Sequence, residues 1–199
     1  SITRVLFYCL KILKEETEMA SNFEKYLYDK HGVFHATLMH ATDIPSAFYT
    51  MVNEDAEMEN GSVSVLKPEN YVEDDVFKVE APKITDKIVI LANDVKIYEE
   101  YTKRMQEESQ YFIGQGERIR AFETFETDRF SLSKEAFKDE TEVEVGKYVV
   151  VDGTGFKLTT VAEDPNKTAV THGFVGYIYK QWPNGEYAVF VKRNAAVEA

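Results

Sequence analysis

The sequence predicts an α+β fold that is predominantly β: an antiparallel sandwich or barrel-like C-terminal sheet with one or two short helices. Two turn signals and one change of pattern carry this expectation. Asp152-Gly153 and Asn184-Gly185 each separate two apolar runs; such pairs mark tight hairpins, because both central residues of a type I′ turn need positive φ. From Asn60-Gly61 onward a mixed pattern gives way to alternation, with Val63 and Val65 facing one way and Ser62 and Ser64 the other. That is the period of a half-buried strand.

Residues 1–18 read as a non-native translated leader. Lys14-Glu15-Glu16 can be encoded by a run complementary to bacterial ribosomal RNA, and Met19 follows in frame. The apolar stretch between Arg4 and Lys11 is six residues long, against roughly 7–15 for a signal-peptide core and ~20 for a spanning helix. It supports neither export nor membrane insertion. The other reading is an amphipathic helix, since Val5, Tyr8 or Cys9, and Ile12 recur at helical spacing. Cys9 is the single cysteine, so residues 19–199 offer no disulfide, thiolate nucleophile or cysteine metal cluster.

The remainder divides into a mixed α/β region at 19–115 and an antiparallel β region at 116–199, which together can also form one domain. Asn22 can cap a short helix at 23–30 that Gly32 ends. Pro45 interrupts the stretch from Val33 to Val52. Residues 67–75 read as a polar connection, Val76 to Val79 as a short strand, and Lys87 to Ala92 as a run apolar enough to be buried on both faces. Tyr98, Tyr101 and Met105 recur at helical spacing, with Glu99/Lys103 and Glu100/Arg104 as i,i+4 pairs; they predict the longest helix, at about 98–109. Arg118 to Phe125 and Arg129 to Leu132 flank a turn at 126–128. Tyr148 to Val151 should meet Thr154 to Leu158 across Asp152-Gly153, and Phe174 to Trp182 should return through Asn184-Gly185.

At 199 residues the chain is long enough to bury roughly 70% of its unfolded surface without covalent staples. Lys and Arg number 23 against 35 Asp and Glu, a net charge of −12, which repels phosphate backbones and argues against a nucleic-acid partner. The acidic runs at 53–59 and 73–75 lack the spacing of a calcium loop and read as solvated loops.

No cofactor or metal site emerges from the motifs. Gly114-Gln-Gly116 begins like a dinucleotide fingerprint, but the third glycine is absent and a strand follows where a helix is required. His31 and His35 have the i,i+4 spacing of a helical zinc pair, yet Gly32 and Val33 argue against a helix there, and His40 would face away from His35 in a strand. There is no Gly-x-Ser-x-Gly elbow. Carboxylates are abundant enough that an acid/base pair is neither supported nor excluded. Lack of recognisable chemistry favours a non-enzymatic, structural role.

The last hairpin supplies a candidate interaction surface. A two-residue turn would oppose Trp182 to Tyr187, Tyr179 to Phe190 and Ile178 to Val191, placing Tyr177, Tyr179 and Phe190 on the face opposite Ile178, Trp182, Tyr187 and Val191. One face should pack on the protein's own core. The other needs a second layer or a partner.

The stretches ENGSVSVL at 59–66, GERIRAFETFETDRFSLS at 116–133, VGKYVVVDGTGFKL at 145–158 and FVGYIYKQWPNGEYAVFV at 174–191 are similar to those of tailed-phage auxiliary head proteins, the capsid decoration or cement proteins. The resemblance implies a β-rich, non-enzymatic virion protein on the capsid exterior, present in the bacterial host cytoplasm during assembly. Its implied partner is the major capsid protein, and its implied form a symmetric homo-oligomer. It carries over no site residues. Two other readings stand beside it: a tail or baseplate component, to which the helix at 98–109 could belong, and a bacterial β-barrel module binding a small molecule or hydrolysing a glycan. A broad aromatic face favours a virion protein; a pocket with converging polar groups favours the module.

Overall fold

The computed structural model describes residues 30–95 and 103–197. The leader expected at 1–18, all but the last residue of the helix expected at 23–30, and the first part of the helix expected at 98–109 lie outside the described residues. Within them, alternating apolar residues build twelve strands: β1 (Phe34–Leu38), β2 (Phe48–Val52), β3 (Ser62–Ser64), β4 (Tyr71–Glu73), β5 (Val76–Lys78), β6 (Val89–Leu91), β7 (Arg118–Glu123), β8 (Arg129–Leu132), β9 (Tyr148–Val151), β10 (Leu158–Val161), β11 (Phe174–Gln181) and β12 (Tyr187–Asn194).

The strands form two six-stranded sheets. Sheet I runs β1-β8-β12-β11-β9-β10 and is antiparallel throughout. Sheet II runs β3-β6-β7-β2-β5-β4, with the β2–β5 pair parallel. Phe34, Leu132, Val149, Phe174, Ile178 and Val189 of sheet I share one buried cluster with Val63, Ile90 and Phe122 of sheet II. The rings of Phe34 and Phe122 lie edge to face across it, 5.5 Å apart. The molecule is thus predominantly β and sandwich-like, and its helical content among the described residues is confined to short 3-10 turns.

A second cluster covers the far side of sheet II, where Met51, Leu91, Ile119 and Ala121 pack with Met58, Val79, Tyr111 and Ile113. This explains why residues 88–92 are apolar without interruption. Ile88, Ile90 and Ala92 enter the first cluster, and Val89 and Leu91 enter the second. The same double covering changes the expectation for β3, whose serines are buried instead of solvent-facing. Ser64 meets the cost of that burial by donating to the Glu80 carbonyl at 3.0 Å and accepting from the Glu80 N–H at 3.1 Å.

Several local expectations are corrected by tertiary contacts. The helix expected at 98–109 does not run through its described part: Lys103–Met105 and Glu108–Gln110 are separate 3-10 turns, and Glu107 between them is extended, with φ −139° and ψ 149°. Arg104, counted as half of a helix-surface pair, is drawn to Glu117 and lies 5.1 and 4.9 Å over the rings of Tyr111 and Phe112. The polar connection at 67–75 contains β4, joined to β5 by Asp74 and Asp75 at φ 47° and 61°. Asp152-Gly153 does not close a two-residue hairpin. Val151 pairs with Leu158, so residues 152–157 form a longer loop. Asp152 accepts from the Thr154 N–H at 2.9 Å, an Asx turn, and further on the Phe156 carbonyl takes the Val63 N–H at 2.7 Å.

The final hairpin keeps its place but changes register, because Pro183, which would flank a two-residue turn, has no N–H to complete the closing bond pair with Glu186, and Asn184 does not take the positive φ of a type I′ turn. Gly185 instead carries the positive φ, 91°, and its N–H bonds to the Trp182 carbonyl at 2.9 Å, while the Trp182 N–H bonds to Glu186 at 2.8 Å. This is the three-residue loop of a turn followed by a left-handed residue. Gln181 therefore faces Tyr187, and an irregularity between Ile178 and Lys180 leaves Tyr179 unpaired; beyond it Ile178 faces Val189 and Tyr177 faces Phe190.

The regions 19–115 and 116–199 share both sheets: β1 is an edge of sheet I, and β7 lies inside sheet II. The turn at 126–128 carries the chain from one sheet to the other. Its Asp128 is fully buried and accepts from the N–H groups of Phe125 at 2.8 Å and His40 at 3.0 Å, with the His40 ring as a further partner. Asn194 ties the sheets together from the other end. Its side chain accepts from the Ile88 N–H at 2.9 Å and donates to the carbonyls of Ile88 at 2.9 Å and Thr124 at 2.7 Å.

Candidate interaction face

Alternation along the strands of sheet I sends Val149, Ile178 and Val189 into the core and their neighbours outward. Register then lines up an outward row: Leu38 opposite Arg129, Arg129 opposite Phe190, Phe190 opposite Tyr177, Tyr177 opposite Tyr148, and Tyr148 opposite Val161. The row spans all six strands. Its three aromatic members are half-buried, the rings of Tyr148 and Tyr177 lie 5.2 Å apart, and Leu38 is 52% exposed. Lys192 sits 4.9 Å over the Tyr148 ring and pairs with Asp164 at 2.6 Å. Further along, Val150 and Val175 on this side are buried. The face is therefore most open from the aromatic row toward the β11–β12 hairpin.

At that open end a second row runs His35, Ser131, Ala188 and Lys180. Ser131 and Ala188 are small, so they form the floor of a groove of about 540 Å³ between β1 and the hairpin. Tyr179, 38% exposed, and Trp182, 39% exposed, line it with His35, Arg129 and Glu186. His35 holds its place through Glu186, 3.0 Å from Nδ1, and Glu108, 3.4 Å from Nε2. Burial opposes a charge on His35, but the hydrogen bond and field of Glu186, reinforced by Glu108, outweigh it and raise its pKa above the ordinary histidine value.

Of the residues expected to form the surface, Tyr177 and Phe190 are direct cross-strand neighbours in the aromatic row. Tyr179, expected opposite Phe190, is instead the unpaired residue of the strand irregularity and lines the groove. Trp182, expected on the opposite face, lines the same groove. His35, Arg129 and Glu186 were not singled out for this site, since strands distant in sequence bring them together. Pro183 is the one local signal that could have corrected the register.

The remaining histidines and the glycine pair lie apart from this face or from one another. His31 is buried beside Glu59 at 3.5 Å, His35 joins Glu186 and Glu108, and His40 joins Asp128; among the described residues no group of three or more His, Cys, Asp or Glu could hold a metal ion. Gly114 and Gly116 form a turn into β7, where the Gly114 N–H donates to Glu117 at 2.9 Å. Among the described residues no helix is long and apolar enough to cross a membrane. The chain matches no family model, and comparison with curated proteins and with solved structures gives no match.

Proposed function

We propose that this chain is a non-enzymatic structural protein of a tailed-phage virion, docking on the exterior of the assembled capsid as a head decoration protein and associating with further copies of itself. The observation that carries the reading is the outward row Arg129, Phe190, Tyr177 and Tyr148, which lies across four neighbouring strands of sheet I. Aromatic rings on a sheet bury large areas with little loss of side-chain freedom, and aromatic and arginine side chains are enriched among the residues that dominate the energy of protein interfaces. The similarity of the strand stretches to auxiliary head proteins supplies the partner, the major capsid protein in its assembled lattice. In this role the chain works through buried area and stabilises a shell.

Sedimentation of the purified chain with expanded phage heads tests the proposal. The wild type should co-sediment at stoichiometric occupancy. Tyr177→Ala should remain folded and bind more weakly by about 1–3 kcal/mol, the usual effect of removing a packed aromatic anchor. Absence of the wild type from the head pellet, or unchanged binding by a folded Tyr177→Ala, would overturn it.

A further inference from the structure

The groove at the hairpin end of sheet I holds an unusual set of polar atoms. Glu186 is 90% buried at its side chain, and only one of its oxygens, Oε2, is engaged, by His35 at 3.0 Å. Among the described residues, its Oε1, the Arg129 guanidinium, the Ser131 and Tyr179 hydroxyls and the Trp182 indole N–H have no hydrogen-bond or ion-pair partner. Beside them stand two part-exposed aromatic rings, Tyr179 and Trp182. Lys180 Nζ lies 3.8 Å from the Trp182 ring centre and adds a donor at the rim.

Elimination narrows what such a groove can hold. An apolar ligand would bury Glu186 and Arg129 against groups that cannot hydrogen-bond, at a cost of several kcal/mol. A simple anion would meet Glu186, and a simple cation would meet Arg129 and Lys180. The ligand must present donors and acceptors together, along with flat apolar faces for the aromatic rings. A pyranose ring does so: each hydroxyl both donates and accepts, and the axial C–H groups form an apolar face. The volume, about 540 Å³, falls in the roughly 300–1,000 Å³ range of small-ligand sites.

We propose that this groove is a saccharide-binding site. The sugar stacks on Tyr179 and Trp182, Glu186 Oε1 accepts from ring hydroxyls, Arg129 donates to them, and Ser131 on the floor does either. His35 is a positioning residue that holds the Glu186 carboxylate. The site is built within one chain and shares only Arg129 with the outward row of the capsid reading, so free protein suffices to test it.

Trp182 is the single tryptophan, so intrinsic fluorescence reports on the groove directly. Maltose, cellobiose, lactose, mannobiose and chitobiose are each titrated to about 20 mM, well past the ~1 mM dissociation constant of a weak site. At least one should give a saturable change in emission. Calorimetry with that sugar should show binding weakened at least about tenfold, or about 1.4 kcal/mol, in Glu186→Gln and in Tyr179→Ala, each with wild-type circular dichroism. Tyr177→Ala, outside the groove, should bind as the wild type does. No saturable response to any of the five sugars, or wild-type affinity in both groove variants, would overturn the proposal. Loss of head binding by Tyr177→Ala has no bearing on it, so the two readings fail separately.

Discussion

Asn194 and His35 stabilise the fold at the scale of single residues, by different means. Asn194 bonds to three backbone groups in a buried site, so Asn194→Ala leaves the Ile88 N–H and the carbonyls of Ile88 and Thr124 short of partners. At roughly 1 kcal/mol or more for each stranded group, the expected loss is about 3 kcal/mol, read as a lower urea midpoint at unchanged slope. A loss below about 1 kcal/mol would show that water replaces the amide. His35 acts through charge. Its folded pKa is raised by Glu186 and Glu108, so its contribution is fully present below the unfolded value, about 6.5, and is lost as pH rises through the folded value. The wild type should therefore melt higher than His35→Gln near pH 6, with the gap closing by about pH 9. Because the ring is partly exposed, the gap is worth no more than about 1 kcal/mol; a gap that widened with pH would contradict the assignment.

At the scale of elements, turns decide what local reasoning recovers. The Asp74-Asp75 turn between β4 and β5 holds two non-glycine residues at positive φ, a conformation that aspartate tolerates and β-branched residues resist. Stability should follow the order Asp75→Gly above wild type above Asp75→Val, the valine costing about 1–2 kcal/mol, as measured by thermal unfolding. Strands were legible wherever alternation or a continuous apolar run reported burial, as at 88–92 and 118–123. Hairpin geometry was less so. Asn184-Gly185 drew attention to the turn, but Pro183 one residue earlier set its type, and an irregularity at Tyr179 shifted the register again. Asp152-Gly153 looked like a tight turn and became a loop, because Phe156 and Lys157 have partners across the sandwich at Val63 and Glu59. In the described part of 98–109 the helical spacing gave way to Arg104, whose partners Glu117, Tyr111 and Phe112 lie further along the chain. The groove was not legible at all, since its residues come from positions as far apart as His35 and Glu186.

For the whole molecule, interleaving of the two halves of the sequence implies that they unfold together. Sheets I and II share one core, and Asn194 and Asp128 tie them at its margins. Urea unfolding followed by Trp182 fluorescence, which reports on sheet I, should coincide with unfolding followed by far-ultraviolet circular dichroism, which reports on both sheets. Two separated transitions would show that the sheets are independent units. A fragment of residues 116–199 should lack a cooperative transition, because it includes β7 without its neighbours β2 and β6. The order of sheet I also bears on synthesis. β12, the last of the described strands, lies between β8 and β11, so on the ribosome β1 and β8 can pair, as can β9, β10 and β11, while the space between the two groups stays unfilled. During that interval the inward faces of Phe130, Leu132 and Ile178 lack their central neighbour, and unpaired strand edges invite other chains. The nascent chain is open to misassembly until β12 leaves the exit tunnel, and the native sheet then closes at its middle.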